Sequence, residues 1–169
     1  MRPRHPLPRL WLMTDERQGD RLWAALARLP DGGGVVFRHY SRPEPERRAL
    51  FEDVRTVTQE RGLVLLSAGA LFSGADGVHN GRGPGIRTAS AHSVGEIHRA
   101  ERNGADLIFL SPVFATRSHP DARTLGPLRF ASLARRTPVP VIAVGGMNET
   151  RFRALRGAYG WAGIDAWSA

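Results

Sequence analysis

Short apolar runs alternate along this chain with longer stretches in which aliphatic residues recur every three or four positions. The first kind reads as buried strand and the second as amphipathic helix. Arg9–Asp15 (RLWLMTD) is predicted to be a strand that ends in polar residues. Asp20–Leu29 is a helix with Leu22, Leu26 and Leu29 on one face, stopped by Pro30-Asp31-Gly32. Gly34–Tyr40 (GVVFRHY) is a second strand. Glu46–Arg61 is a helix with Leu50, Val54 and Val57 at i, i+4 and i+7, and Gly62 is its C-terminal stop. Leu63–Ser67 (LVLLS) is the third strand.

The middle is compressed. One turn at most fits between Ser67 and Ala75, Asp76–His79 (DGVH) is a short fourth strand, and a Gly-rich connection, Asn80–Gly85, stands where a helix would be. Thr88–His92 (TASAH) is the fifth strand. Ser93-Val94-Gly95-Glu96 has the Ser-x-x-Glu form of a capping box and opens a helix running to Asn103-Gly104. Asp106–Ser111 (DLIFLS) is the sixth strand, followed by a long loop, Pro112–Leu125, and a helix at Pro127–Arg136 that Pro138 ends. Val139–Gly146 (VPVIAVGG) is the seventh, apolar almost throughout, as strands buried on both faces are. Asn148 caps a helix ending near Gly157, and Ala162–Trp167 is the eighth strand.

Strict alternation of strand and helix predicts a parallel sheet. Eight strands point to closure into an α/β barrel, with an open doubly wound sheet as the alternative. A complete (β/α)8 barrel usually takes ~250 residues, whereas this chain has 169. The barrel is therefore expected to be abridged, with several helices missing or shortened, in a single domain over 1–169 that begins with a basic, Pro-rich tail over 1–8.

Composition narrows the chemistry. There is no Cys, which removes thiolate nucleophiles, thiolate metal sites and disulfides. All 24 residues in the Lys+Arg count are Arg. Schiff-base catalysis needs an amine that can lose its proton, and Arg does not lose one. The net charge of +8 is spread along the chain without interleaved aromatics. The plain reading of that pattern is an Arg-rich surface; a general attraction to phosphorylated small molecules is the next alternative, and no nucleic-acid partner is expected. No run reaches the ~18 apolar residues of a membrane span, and Leu10–Met13 is too short for a signal segment. No membrane partner is expected, and the cytoplasm is the expected location.

In either architecture the functional rim lies at the carboxyl ends of the strands. Those ends carry Thr14-Asp15, Arg38-His39-Tyr40, Ser67, His79-Asn80, Ser90–His92, Ser111, Gly145-Gly146 and Ser168, a polar set suited to an anionic ligand. Two glycines leaving strand seven and opening a helix, in Val144–Asn148 (VGGMN), can present backbone N–H groups to a phosphate. Ser168 can add a hydroxyl. The plain alternative is a tight turn. Thr116, Arg117, Ser118 and His119 lie in a loop long enough to be a binding loop or lid, or simply a polar surface loop. His79 and His92 can move protons at the rim, or serve as structural donors to backbone carbonyls. No third ligand at a recognisable spacing makes them a metal pair. His98 falls on an exposed helical face.

The segments LWLMTD, VVFRHY, GADGVHNG, SAHSVGEIHRAERNGADLIFLSPVFATRSHP, LGPLRF, VPVIAVGGMN and GIDAWS, in this order and spacing, resemble the thiamine-phosphate synthase/TenI family. The resemblance covers nearly the whole chain and implies a TIM barrel. Synthases of that family join a pyrimidine-methyl diphosphate to a thiazole phosphate, releasing diphosphate with Mg²⁺. TenI-type members tautomerise the thiazole phosphate to its aromatic form without a metal.

By resemblance, Gly145 and Gly146 match the phosphate-binding glycines, and Trp167 and Ser168 an apolar residue and a Ser with backbone and hydroxyl contacts. Thr116 and Ser118 match the loop hydroxyls, Ser90 and His79 positions beside the rings, and His92 a TenI-like proton-transfer residue. The diphosphate half departs from the pattern. Arg38 matches its arginine, but Tyr40 and His119 replace lysines, Val36 a Gln, Ser67-Ala68 an Asn-Asp pair, and Pro84 the second metal-binding Asp. The implied protein is TenI-like, binds a phosphorylated small molecule and needs no cofactor. Mg²⁺ enters only if synthase activity survives. A divergent synthase and a non-catalytic binder of the same ligands are the alternatives. Helices missing from the wall predict an exposed apolar patch and hence a homodimer.

Overall fold

In the computed structural model, which describes residues 6–168, eight parallel strands close into one barrel in chain order. The strands are β1 (Leu10–Met13), β2 (Gly34–Phe37), β3 (Val64–Ala68), β4 (Gly77–His79), β5 (Ile86–Ala91), β6 (Leu107–Leu110), β7 (Val141–Val144) and β8 (Gly160–Gly163). The helices are α1 (Arg21–Arg28), α2 (Glu44–Glu60), α3 (Val94–Arg102), α4 (Gly126–Ala134) and α5 (Glu149–Ala154). Closure is made by β8 against β1, with Leu12 beside Gly163 and Leu10 beside Trp161. The open doubly wound alternative is thereby excluded. Among the described residues no helix is long and apolar enough to cross a membrane.

The period-2 alternation of strand side chains divides the core into two layers. Trp11, Met13, Val36, Leu66, Leu107, Phe109, Ile142 and Ala162 point inward and fill the barrel. Leu12, Val35, Phe37, Leu65, Ile108, Leu110, Val141 and Ala143 point outward beneath the helices. Gly34 belongs to the inner set because the Trp11 indole occupies the space of its missing side chain: a Cβ there would lie 2.3 Å from the ring. Trp11 is fully buried and donates from Nε1 to the Pro8 carbonyl at 2.9 Å, so Leu7 and Pro8 close the floor of the barrel.

Helix α2 packs with Phe51, Val54 and Thr58 inward, whereas Leu50 and Val57 lie at the margin of the contact. The face is rotated by one position from the Leu50–Val54–Val57 stripe, because Phe51 stacks edge-on against Phe37 and Phe72. The N-terminus of α3 carries half of the expected box. Ser93 Oγ accepts from the Glu96 N–H, but the Glu96 carboxylate reaches back to the His92 N–H, one residue beyond the cap.

The eighth strand is displaced from the expected Ala162–Trp167. It spans Gly160–Gly163, and the chain then bends at Ile164 into a 3-10 turn, Asp165–Trp167. Trp167 is buried nonetheless, because it folds back to stack on Trp161 at 4.7 Å and donates from Nε1 to the Trp11 carbonyl. An apolar pattern therefore continued past the strand that it resembled.

No helix separates β3 from β4 or β4 from β5 among the described residues. At this gap Val78 is buried, Leu71 is exposed, and the outward face of β5 carries an exposed Arg87.

Candidate active site at the barrel mouth

Continuing the inward parity past the strand ends predicts what surrounds the mouth, and a cavity of about 560 Å³ opens there. Its wall contains Met13 of β1 with Asp15 beyond it, Arg38 after β2, Ser90 of β5 with His92 beyond it, and Phe109 of β6 with Ser111 beyond it. Val144 of β7 with Gly146 beyond it, and Ala162 of β8 with Ile164 beyond it, complete the same series. Met13 and Phe109 form its apolar floor.

The β7 corner is built for backbone exposure. Gly145 and Gly146 have φ of +103° and +60°, a region that side-chain-bearing residues avoid. A Cβ on Gly146 would also lie 2.8 Å from the Ala115 carbonyl. The long loop is fastened here through its own N–H groups: Val113 donates to the Val144 carbonyl at 2.9 Å and Phe114 to the Gly145 carbonyl at 3.0 Å. Corner carbonyls are thus consumed, while the N–H groups of Gly145 and Gly146 donate to no backbone oxygen among the described residues. Gly163–Ala166 forms the facing lip.

His92 is exposed and lines the same cavity after β5. Its Nδ1 lies 2.9 Å from the Ser111 carbonyl oxygen, which can only accept. A neutral imidazole therefore carries its proton on Nδ1 and its lone pair on Nε2. His79 is placed differently although it shares the inward parity. It is 2% exposed, stands edge-on to Phe109, and is covered by Ser90: Nε2 meets Ser90 Oγ at 3.0 Å and Nδ1 meets Thr88 Oγ1 at 2.8 Å. Burial, aided by the Arg38 charge, pushes its pKa down to about 3. Asn80, in the left-handed region at φ +53°, fixes Ser90 from the other side, donating to its hydroxyl and accepting its N–H.

The sign of the pH dependence follows. Between pH 6.5 and about 3 the unfolded chain protonates this imidazole and the folded chain does not. Stability is therefore full above pH 6.5 and falls with acidification through that window. The fall from this one group is about 1.4 kcal/mol per pH unit at most. Urea unfolding at pH 7 and pH 4.5 is expected to show a smaller acid loss in His79→Gln than in the parent. Equal losses would contradict this account.

Arg38 is held by Thr14 and Asp15: Nε donates to the Thr14 carbonyl at 2.7 Å and Nη2 to Asp15 Oδ2 at 3.1 Å. Burial lowers its pKa, an effect that the Asp15 charge only partly opposes. Burial alone would raise the Asp15 carboxyl, but the hydrogen bonds and charge of Arg17, with the charge of Arg38, hold it below its ordinary value. Arg17 was not foreseen as a site residue. It takes Asp15 Oδ1 at 2.7 Å and donates from Nη2 to Ser118 Oγ at 2.7 Å, tying β1 to the long loop.

The remaining expected residues fall on and around this cavity. Thr116, Ser118 and His119 lie on its wall, with Thr116 Oγ1 accepting the His119 N–H. Trp167 and Ser168 lie off it. The Ser168 N–H closes the 3-10 turn on the Asp165 carbonyl, and its hydroxyl meets Gln18 Nε2 at 3.4 Å. Asp165 occupies the lip instead, an acidic residue that sequence reasoning missed because it placed this stretch inside a strand.

The donor set does not suit Mg²⁺. Asp15 is taken by two guanidinium groups, and Ser67 Oγ is buried, accepting the Phe72 N–H at 3.2 Å. Ala68 and Pro84 offer no side-chain oxygen. No group of three or more His, Asp or Glu among the described residues is arranged to hold a metal.

A closed parallel β/α barrel with a cavity at its C-terminal mouth defines the class: a TIM-type barrel. Residues 10–167 match the family described as Thiamine monophosphate synthase, and the chain belongs to that thiamine-biosynthesis family. A protein of Aquifex aeolicus provisionally named thiamine-phosphate synthase 2 is 32% identical over 94% of this chain and 97% of its own. The thiamine-phosphate synthase of Salinibacter ruber is 33% identical over 94% of this chain and 80% of its own. The solved thiamine phosphate pyrophosphorylase of Pyrococcus furiosus superposes with a TM-score of 0.78 at 28% identity, covering 96% of this chain and 88% of that one.

Proposed function

We propose that this protein is a TenI-like member of its family that binds thiazole phosphate in the barrel mouth and catalyses its tautomerisation to the aromatic ring. The observation that carries the reading is the pairing of a proton-transfer group with an anion corner and no metal donor set. His92 presents Nε2 to the cavity, and the free amides of Gly145 and Gly146 lie on the same wall system. The phosphate docks on those amides at the start of α5. Tautomerisation moves one proton and loses no atoms, so a single imidazole that takes a proton from one ring position and returns it to another suffices. Ser90, held by His79 and Asn80, orients the ring. His79 acts as a positioning residue.

The synthase reaction asks more of the site. Expulsion of diphosphate builds negative charge that a metal and several cations stabilise, each worth several kcal/mol in a dry site. Losing even ~4 kcal/mol slows a step about a thousandfold. Arg38 is already engaged by Asp15, and so is its neighbour Arg17.

The test mixes purified protein with the non-aromatic thiazole phosphate and follows the aromatic product. Acceleration over the solution rate, with no diphosphate released from the two synthase substrates, supports the reading. Diphosphate release would establish a divergent synthase, whereas binding without either reaction would leave a non-catalytic ligand binder. Removing the Asp165 charge from the lip is expected to favour the phosphate, since like charges repel across the cavity. Asp165→Ser should lower the Kd for thiazole phosphate severalfold by calorimetry, and an unchanged or weaker affinity would move the phosphate elsewhere.

A further inference from the structure

We propose that the groove left by the missing helix between β4 and β5 is a second anion site, on the outside of the barrel, for a small molecule bearing a diphosphate or comparable oligophosphate group. This site stands independently of the barrel-mouth reading. The groove measures about 360 Å³ and runs between the β4–β5 connection, the outer face of β5 and α3. It gathers Arg82 from the connection, Arg87 from β5 and Arg99 from α3.

These three arginines are set apart by lining one groove together from three separate segments. Arg17, Arg38, Arg48, Arg55, Arg61 and Arg153 are each paired with a carboxylate. Among the described residues, Arg82, Arg87 and Arg99 have neither an ion pair nor a side-chain hydrogen bond. Glu96 accepts the His92 N–H, Glu101 meets His98 and Asp106 accepts the Arg87 backbone N–H, and none of these carboxylates forms an ion pair with the three guanidinium groups. Among the residues lining the groove, three arginines stand against one carboxylate, Glu96. Like charges brought together without a counter-ion are unfavourable, and an anion relieves the repulsion. Planar guanidinium forks match phosphate oxygens in pairs. The amides of Asn80 and Asn103 line the same groove and can serve bridging oxygens.

The groove also backs the barrel mouth. Ser90 lines both cavities, and Glu96 in the groove holds the His92 backbone. An occupant of the groove thus touches the residues that support the two ring-facing groups.

The experiment is a titration of the full chain, labelled for amide NMR, with inorganic diphosphate in metal-free buffer. Saturable shifts are expected at Gly81, Asn103 and Ala105. The double variant Arg82→Ala/Arg99→Ala should weaken binding by about tenfold or more. Arg135→Ala/Arg136→Ala, which removes equal charge beyond the end of α4, should change it by less than about twofold. Shifts confined to Gly145 and Gly146, or equal weakening in both double variants, would overturn the proposal. So would a short RNA or acidic peptide that moves the groove amides when diphosphate does not. A parallel titration with thiazole phosphate reports on Gly145 and Gly146 alone, so failure of either site is read separately.

Discussion

His92→Ala is expected to slow thiazole-phosphate tautomerisation by about 10²–10⁴-fold, the usual contribution of a positioned general acid–base group. KM should change little, because the proposed phosphate contacts are the backbone amides of Gly145 and Gly146 on another part of the wall. The split between kcat and KM separates a catalytic imidazole from one that merely shapes the cavity. A fold defect would also be visible: His92 is exposed and its ring makes its one close backbone contact to Ser111, so the thermal midpoint should stay near that of the parent. His92→Gln keeps a donor for the Ser111 carbonyl but has no titratable base, and should be equally slow. A parent-like rate in either variant would assign the proton transfer to another residue.

Gly160→Ala is expected to cost at least about 3 kcal/mol of stability, at or beyond the upper range of overpacking a well-filled core. A Cβ at this position would stand 1.9 Å from the Arg9 carbonyl oxygen, closer than any non-bonded contact. That carbonyl is also the acceptor of the Trp161 N–H at 2.8 Å, part of the seam where β8 meets β1. The backbone must therefore separate at the one place that closes the barrel. Gly95→Ala in α3 provides the opposite case. Its Cβ would meet nothing closer than Ser93 Oγ at 4.0 Å. The lower entropy of the unfolded chain and the better helix propensity should add about 0.5–1 kcal/mol. Urea midpoints measured side by side test both signs, and a near-neutral Gly160→Ala would refute the tight seam.

The barrel was legible because strands and helices announce themselves locally. LVLLS and VPVIAV carry the unbroken apolar character of strands covered on both sides. The Gly-rich stretch after His79 has no helical period to offer, and no helix forms there. Elements failed where a local pattern outlasted its structure. Trp167 is apolar and buried, yet it reaches the core by folding back in a turn rather than by extending β8. On α2, Phe51 displaced the aliphatic stripe because its ring finds Phe37 and Phe72, partners distant in sequence.

By itself the amino-acid sequence determined the order and type of the elements, the glycine corner after the seventh strand, and a side-chain inventory without Lys or Cys. It also set the parity that turns Met13, Asp15, Arg38, Ser90, His92, Phe109 and Ser111 toward one opening. Only the tertiary structure decided which of those groups are free. His79 and His92 share a parity and a residue type, but Ser90 covers the first while the second stands open to the cavity. Asp15 is claimed by Arg17 and Arg38, and three arginines from separate segments line one outer groove without an ion pair among the described residues. Direction along a strand is a property of two neighbouring residues, whereas burial and pairing depend on what distant segments bring alongside when the barrel closes.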